Sequence, residues 1–215
     1  MRYVIIVSGG SVDTDLLKRE VGKTGDDAFL IACDGGMNAL YKTGLAPRLL
    51  IGDFDSANEE ALAFYDSRAD VIRLPREKDL TDTHAAVEYA LKNGAECILL
   101  LGGTGGRMDH TLGNTALLAL CAERGVCMTI LDKRNRVRAV NSSLVIEKSE
   151  QYGHYVSVIP YGGPATVSLA GFVYPLSHFE LPMFGTLGLS NEISDERGIV
   201  TVHAGMTLVV ESKDQ

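Results

Sequence analysis

The chain has 215 residues, of which 46% are hydrophobic and 22% are charged, a composition typical of a globular protein with one or two domains. Its formal charge of -8 argues against a nucleic-acid-binding surface, because such a surface needs a basic face. No stretch approaches the roughly 20 apolar residues of a membrane span, so we expect neither a membrane segment nor a membrane partner.

The chain begins with a short apolar run at residues 3–7, which Gly-Gly and an aspartate follow. This run is too short for a signal peptide, so we expect a cytoplasmic protein. The cysteines show no C-x-x-C spacing and are predicted to be small buried residues of a reduced protein. They are Cys33, Cys97, Cys121 and Cys127. The five histidines have no spacing typical of a zinc site.

Up to about residue 132, apolar runs rich in Val, Ile and Leu alternate with helical patterns. The runs are 3–7, 28–33, 49–51, 71–74, 97–101 and 126–131, and the helical patterns include 57–67, 81–93 and 110–124. Near-continuous apolar strands joined by helices are typical of a parallel sheet covered on both faces. We therefore predict a Rossmann-like α/β domain at residues 1–135.

The second part of the chain lacks helical patterns of normal length. Its β-branched runs, at 144–147, 155–159, 165–169, 198–202 and 207–210, are separated by turns rich in Gly and Pro. We predict a small antiparallel β-sandwich or barrel at residues 136–215. The basic stretch 133–136 is interpreted as the junction, with a solvated loop as the alternative.

Aspartates follow four of the predicted strands. They are Asp34, Asp53, Asp55, Asp79, Asp82 and Asp109. The carboxyl ends of parallel strands share one edge of a sheet, so these carboxylates would repel one another unless a cation lay among them. We favour metal binding over a turn or helix cap for Asp53 and Asp55, whereas capping stays open for Asp79 and Asp82.

Glycine-rich turns follow the first and fifth predicted strands. Ser8-Gly9-Gly10 and Gly102-Gly103-Thr104-Gly105-Gly106 each precede a helix, where backbone amides can face phosphate oxygens. Arg107 in the second turn can hold two phosphate oxygens, and Lys78 can stabilise developing charge. A phosphate-binding P-loop is excluded, because Leu17 stands at the position where that motif would require its first glycine. The combination predicts metal-assisted chemistry on a polyphosphate.

Five motifs in this order resemble those of the thiamine pyrophosphokinase family, over nearly the whole chain. They are Asp34-Gly35-Gly36, Gly52-Asp53-Phe54-Asp55-Ser56, Lys78-Asp79-x-Thr81-Asp82, Gly106-Arg107-x-Asp109-His110 and Leu189-Ser190-Asn191-Glu192. The resemblance implies transfer of the β,γ-diphosphate of ATP to thiamine, with Mg²⁺ as cofactor. It also implies a homodimer whose sites join the α/β domain of one subunit to the β domain of the other.

The resemblance further implies roles for individual residues. Asp53, Asp55 and Asp79 would bind Mg²⁺. Those expected at the reacting phosphates are these three with Lys78, Asp82, Arg107 and Asp109. Those expected to contact the nucleotide are Ser8, Gly9, Gly10, Asp34, Gly35, Gly36, Thr104, Gly105, His110 and Asn114. Ser190 and Asn191 would help to hold thiamine.

One departure from the family pattern concerns the thiamine ring. Animal and fungal members place a tryptophan near it, and this chain has no tryptophan. Phe172, Tyr174 and Phe184 are candidates for stacking, although each can equally be a core residue. Two other functions stay open: an Mg²⁺-dependent phosphohydrolase or nucleotidyltransferase, and a module that senses Mg-ATP without turnover.

Overall fold

The computed structural model describes residues 2–55, 58–77 and 79–214, which form two compact units. The first unit contains residues up to 117 together with 125–133, and the second contains 118–124 and the chain from 134 onward. The predicted fold class, α/β combined with an antiparallel β unit, is confirmed. No helix within the described ranges is long and apolar enough to cross a membrane.

The first unit is built on a parallel sheet. Its strands are β1 Tyr3–Val7, β2 Ala28–Cys33, β3 Leu49–Gly52, β4 Asp70–Arg73, β5 Cys97–Leu101 and β6 Cys127–Leu131. They lie in the order β4-β3-β2-β1-β5-β6, and β1 is therefore flanked by β2 and β5. The strand order reverses beside β1, because β2 to β4 extend to one side and β5 and β6 to the other.

The burial of β1 explains why its sequence is apolar without alternation. Val4, Ile5, Ile6 and Val7 are all 0% exposed. Successive side chains of a strand point to opposite faces, so both faces of the sheet are covered. The prediction of a two-sided parallel sheet is confirmed.

Five helices are described in full or in part within the first unit. They are α1 Thr14–Thr24, α2 Gly36–Thr43, α3 Glu59–Tyr65, α4 Asp82–Lys92 and α5 Met108–Glu123, whose last residues belong to the second unit. α2 and α4 pack against β1 and β2.

Side-chain caps fix where three of these helices begin. Asp13 caps α1, Asn58 caps α3 and Thr81 caps α4, each by accepting hydrogen bonds from backbone amides of the first turn. The cap of α4 is therefore the Thr81 hydroxyl, which accepts from the His84 amide at 3.1 Å. Asp79 lies before the helix and Asp82 is its first residue, so neither occupies the capping position that had stayed open.

The second unit is antiparallel. Its strands are β7 Asn135–Val140, β8 Ser143–Glu147, β9 Tyr155–Pro160, β10 Ala165–Ala170, β11 Leu176–Leu181, β12 Arg197–Ala204 and β13 Thr207–Ser212. β7, β13 and β9 are neighbours in one sheet, and a second sheet has the order β11-β10-β12-β8. Val158 and Val209 from the first set and Val167 and Val200 from the second share one core, so the unit is the predicted sandwich.

Two strands of the sandwich had no signal in the sequence. β7 (NRVRAV) carries two arginines, and most of β11 (LSHFEL) is exposed. Neither run shows the apolar enrichment by which strands are recognised.

The basic stretch 133–136 is not simply a solvated loop. Arg136 lies in β7 and its Nε donates to Oε1 of Glu211 at 2.6 Å, while Arg138 pairs with the same carboxylate. Glu211 is 0% exposed and also accepts from the Tyr152 amide at 2.9 Å. A buried carboxylate needs such partners, because desolvation without them is costly. Arg136 therefore belongs to a buried ion-pair network of the second unit, whereas Lys133 and Arg134 are exposed.

The four cysteines are all free. Cys33 and Cys121 are buried as predicted, but Cys127 is exposed and Cys97 is half-buried. The prediction of burial is wrong for Cys127. It opens β6 beside Cys97 at the start of β5, where the sheet meets solvent.

Candidate functional site

A cavity of about 740 Å³ lies at the carboxyl edge of the parallel sheet. The loops after β1 to β5 and the first turns of α4 and α5 line it. The strand order reverses beside β1, so the cavity lies at the switch point of the sheet. This is the place at which open α/β sheets bind ligands.

Most residues that the sequence assigned to the first unit's site lie around this cavity. The acidic and basic ones are Asp34, Asp53, Asp55, Asp79, Asp82, Arg107 and His110, and the others are Ser8, Gly9, Gly10, Thr104 and Asn114. Gly35, Gly36, Gly105 and Asp109 are not among the lining residues. Lys78 lies outside the described residues. The cavity therefore gathers side chains that are up to about 100 positions apart in the sequence.

Three of the carboxylates form a tight group. One oxygen each of Asp34, Asp53 and Asp55 lies within 4.8 Å of the others. Carboxylates at this spacing repel one another, and a hard divalent cation removes the repulsion by accepting oxygen ligands. The donor set therefore fits a metal such as Mg²⁺. The sequence proposed Asp79 as the third ligand, whereas the structure brings Asp34 to the pair and leaves Asp79 elsewhere in the cavity.

Left-handed backbone conformations bring these carboxylates together. Asp34 has φ 43° and Phe54 has φ 62°, which is uncommon for residues with a side chain. Phe54 is 7% exposed, and the guanidinium of Arg73 lies 5.3 Å from its ring centroid. Phe54 thus anchors the loop in the unit, which leaves the aspartates on either side of it at the cavity. This arrangement explains a buried phenylalanine between two carboxylates.

Gly52 permits the close approach of the two acidic loops. A Cβ at this position would lie 3.2 Å from the Asp34 amide nitrogen and 3.3 Å from its Cβ. The Asp34 amide donates to the Ile51 carbonyl at 3.1 Å, which fixes the spacing between the ends of β2 and β3. A side chain at Gly52 would crowd Asp34, so the loop after β2 would have to move slightly.

The glycine turns after β1 and β5 are joined to each other. Gly10 donates to the Gly102 carbonyl at 3.0 Å, and the Ser11 amide donates to the Thr104 carbonyl at 3.1 Å. A Cβ on Gly10 would lie 2.4 Å from the Gly102 oxygen, so this position requires glycine. The Gly10 amide, which the sequence offered to phosphate, is therefore already hydrogen-bonded within the protein.

Packing also explains two glycines that do not line the cavity. A Cβ on Gly36 would lie 2.0 Å from the Val7 carbonyl oxygen, so glycine lets α2 begin against the end of β1. Gly105 has φ 75°, and a Cβ there would lie 2.6 Å from Cβ of Ser11. Gly35 precedes α2 at the N-cap position without a side chain to cap it.

Buried polar side chains hold the same loops. Ser8 Oγ and Thr83 Oγ1 are 2.7 Å apart and join the β1 loop to α4. Asn114 Nδ2 donates to the Gly103 carbonyl at 2.8 Å, and Asn114 is only 6% exposed. Thr104 Oγ1 donates to Asp132 Oδ2 at 2.6 Å. Three residues predicted to contact the nucleotide therefore also fix the loop positions.

Arg107 and Asp109 form a two-point ion pair. Arg107 Nε donates to Oδ1 at 3.1 Å and Nη2 donates to Oδ2 at 2.5 Å. The hydrogen bond from Arg107 lowers the pKa of the Asp109 carboxyl, and the same contact raises the pKa of Arg107. Asp109 lies on a neighbouring cavity of about 240 Å³, which Asp79 and His84 also line. It therefore orients Arg107, which lines the larger cavity.

Several residues around the cavity were missed by the sequence interpretation. Arg76 adds a second guanidinium to the lining, Thr83 bonds Ser8, and Cys33 lines the wall. Burial, with smaller contributions from Asp82 and Asp34, raises the pKa of the Cys33 thiol, so it stays protonated. Arg76 lies two residues before Lys78 in the motif-bearing loop, a signal that could have identified it.

The residues proposed to hold thiamine lie in the second unit. Asn191 is 4% exposed, and its side chain accepts from the Tyr174 amide at 3.0 Å and donates to the Tyr174 carbonyl at 2.8 Å. Ser190 is exposed and has φ 54°. Asn191 therefore shapes the segment that carries Tyr174.

The three aromatic candidates differ in exposure. Tyr174 is 69% exposed and Phe184 is 89% exposed, whereas Phe172 is 4% exposed and belongs to the sandwich core. Phe172 is therefore a core residue, as one of the two interpretations allowed. Tyr174 and Phe184 keep an exposed ring surface.

Comparison with known families agrees with this geometry. Residues 24–130 match the thiamin pyrophosphokinase catalytic domain, and residues 142–207 match the thiamin pyrophosphokinase vitamin B1 binding domain. A thiamine pyrophosphokinase of Bacillus subtilis (strain 168) is 30% identical over 216 residues, covering 100% of both chains.

Solved structures agree as well. The crystal structure of the thiamine pyrophosphokinase from Bacillus subtilis has a TM-score of 0.90 at 31% identity and covers 100% of both chains. The one from Geobacillus thermodenitrificans has a TM-score of 0.84 at 30% identity, covering 99% of this chain and 98% of the other. Sequence and fold thus agree over the full length, and the chain belongs to the thiamine pyrophosphokinase family.

Proposed function

We propose that the cavity of the first unit is where this chain carries out the activity of its family, ATP-dependent transfer of a diphosphate group to thiamine. The thiamine hydroxyl attacks the β-phosphorus of ATP and releases its proton, the bond from that phosphorus to the α,β-bridging oxygen breaks, and AMP leaves. The observation that carries the proposal is the convergence of the Asp34, Asp53 and Asp55 carboxylates within 4.8 Å in a cavity that also holds two arginines.

The family generally uses a divalent metal, and we propose Mg²⁺ for this chain. Asp34, Asp53 and Asp55 would hold it, and Asp79 and Asp82 face the same cavity. When bound, the ion would offset phosphate charge and orient the β- and γ-phosphates. The oxygen-only donor set supports a hard cation over zinc.

The chain's own residues supply charge and shape. Arg107 and Arg76 offer guanidinium groups to the phosphate oxygens, and we propose the same for Lys78. The ion pair with Asp109 fixes the orientation of the Arg107 guanidinium before a nucleotide arrives. Ser8, Thr83 and Asn114 keep the loops in place, so little ordering accompanies binding.

We assign the nucleotide site to residues 1–135 and the thiamine site to residues 136–215. Ser190 and Asn191, with Tyr174 or Phe184 as a stacking surface, are proposed to hold thiamine. The match of residues 142–207 to the vitamin B1 binding domain supports this division. The exposure of Tyr174 and Phe184 supports it too, because an exposed aromatic ring leaves a face on which a ligand ring can stack.

We further propose a homodimer in which each site combines the first unit of one subunit with the second unit of the other. Exposed apolar side chains on both units, including Met108, Leu112, Phe184 and Leu187, are consistent with an interface. The cytoplasm is the proposed compartment, which four free cysteines support.

Incubation with ATP, Mg²⁺ and thiamine, followed by chromatography, tests the reaction. AMP and thiamine diphosphate in equal amounts are expected. ADP or free phosphate without thiamine diphosphate would indicate the phosphohydrolase alternative, and nucleotide binding without product would indicate a sensing module. Family membership favours neither alternative.

A further inference from the structure

Two histidines and a serine meet on the second unit's four-stranded sheet. Ser168 lies in β10, His178 in β11 and His203 in β12. The ring centroids of His178 and His203 are 4.5 Å apart, with an angle of 41° between the rings. Nε2 of His203 is 2.8 Å from Ser168 Oγ, and the His178 amide donates to the same oxygen at 2.9 Å. Both histidines are exposed.

Irregular strand pairing brings the two imidazoles together. Between the pairs Val167–Phe179 and Leu169–Leu176, β11 has one more residue than β10, and His178 lies in that bulge. Between Thr166–Ala204 and Val167–Val202, β12 has one extra residue, which is His203. β-bulges redirect side chains and are frequent beside functional sites. Each histidine thus sits at a bulge, on either side of the central strand β10.

The backbone conformation of His178 is a second sign that the local structure holds the two rings together. Its φ of 47° is left-handed, a conformation that costs free energy for a residue with a Cβ. The Ser168 hydroxyl holds it there by accepting from the His178 amide. Regular pairing of β11 would remove this strain and separate the rings, so the local structure maintains the histidine pair.

The spacing of the rings fits ligands of one metal ion. With metal–nitrogen bonds of about 2.1 Å, two imidazole centroids lie roughly 4.6 Å apart at a right angle and roughly 5.3 Å apart at a tetrahedral angle. The observed 4.5 Å matches the right angle. The 2.8 Å between His203 Nε2 and Ser168 Oγ is a hydrogen bond, which keeps this nitrogen beside the hydroxyl.

We propose that His178 and His203, with the Ser168 hydroxyl beside them, form a second metal site for a divalent transition-metal ion of the Cu²⁺ or Ni²⁺ type. Imidazole nitrogens suit these ions, and right-angle coordination distinguishes them from tetrahedral Zn²⁺. Solvent completes the coordination, because the cluster is exposed. The histidines are 25 positions apart and show no ligand spacing in the sequence, so only the bulged sheet reveals the pair.

The site differs chemically from the carboxylate group of the first unit. That group offers oxygen ligands only and suits a hard cation, whereas this pair offers nitrogen. Excess Mg²⁺ therefore occupies the carboxylates without competing for the histidines. The proposal does not depend on the reaction proposed above.

Electron paramagnetic resonance of Cu²⁺ tests the assignment on untagged, full-length protein in excess Mg²⁺. The wild type should bind one Cu²⁺ with hyperfine splitting from two imidazole nitrogens. His178→Asn and His203→Gln should each remove that pattern and weaken affinity by at least the roughly tenfold that loss of an outer-shell partner costs. Asparagine tolerates the left-handed backbone at 178, so the fold should survive the substitution.

His154→Gln is the matched control, because His154 is an exposed histidine of the same unit whose Nε2 pairs with Glu192 at 2.9 Å. It should keep the two-nitrogen spectrum and the wild-type affinity. A wild-type spectrum without two nitrogens, or one that persists in both cluster variants, would overturn the proposal. Circular dichroism and melting temperatures of the variants should match the wild type, because both side chains are exposed.

Discussion

The two units place their chemically important residues in different ways. In the first, charged and glycine-rich loops follow buried parallel strands, and the topology collects them at one edge. In the second, the carboxyl ends of neighbouring antiparallel strands lie at opposite edges of the sheet, so the loops that follow them do not gather in one place. Irregular positions such as the bulges of β11 and β12 decide which side chains meet. Position along the chain is therefore informative about function in the first unit and much less so in the second.

The strongest test of the first unit removes a carboxylate charge without changing its shape. Asp53→Asn, and separately Asp55→Asn, should lower kcat by roughly 10²–10³-fold or more, because the metal loses a charged ligand. Steady-state assays of AMP release measure this. Asp70→Asn, at the exposed start of β4, is the matched control and should stay near wild type. Near-normal turnover of both variants at low Mg²⁺ would return these residues to a turn role.

The corresponding test of the second unit concerns stability. Glu211→Gln keeps the side-chain size but leaves Arg136 and Arg138 facing a neutral amide in a buried place. Breaking a buried ion pair costs about 3–5 kcal/mol, so the free energy of unfolding measured in urea should fall by an amount near this range. Glu180→Gln, on exposed β11, should shift it little. Equal, small shifts would mean that the network contributes no stability.

A smaller loss of activity is expected when the shape of the Arg107 side chain changes but its charge does not. Arg107→Lys keeps the charge but loses the planar fork, so kcat should fall roughly tenfold or more while KM for thiamine changes little. Arg68→Lys serves as the control, because Arg68 is an exposed residue that packs on Phe64. If kcat and KM for thiamine both deteriorate to the same extent in Arg107→Lys, Arg107 organises the site in general.

The smallest expected effect is a change in the pKa of Asp109. Because the Arg107 hydrogen bond lowers the pKa of Asp109, its carboxyl should titrate below the ordinary value of 3.8. A lowered folded pKa means that the pair's stabilisation is present above the unfolded pKa and is lost as pH falls through the folded pKa. Carbon NMR of the side chain measures this. In Arg107→Gln the titration should return toward 3.8, and an unchanged titration would show that Arg107 is not the cause.

The fold of the first unit was predictable because its strands are apolar on both faces. β1, β2 and β5 stand out as continuous runs, and the loops that follow them carry the site. The missed parts depend on tertiary contacts. The sequence placed Asp34 in the aspartate cluster but assigned it to the nucleotide, and its closeness to Asp53 and Asp55 depends on how β2 and β3 end beside Gly52.

The second unit was predictable as a class but not in detail. β7 and β11 were missed because their arginines and exposed side chains hide the alternation of a strand. Arg136 looked like part of a junction, since its buried partner Glu211 is 75 residues away. Sequence reasoning also could not separate Phe172 in the core from the exposed Tyr174.

Mn²⁺ binding, measured without nucleotide, tests whether the third metal ligand beside Asp53 and Asp55 is Asp34, as the structure indicates, or Asp79, as the sequence suggested. If Asp34, Asp53 and Asp55 hold the cation, Asp34→Asn should weaken Mn²⁺ binding as strongly as Asp53→Asn does, and Asp79→Asn should weaken it less. Paramagnetic resonance of free Mn²⁺ gives the affinities directly. Wild-type affinity in Asp34→Asn together with lost binding in Asp79→Asn would contradict the site described above.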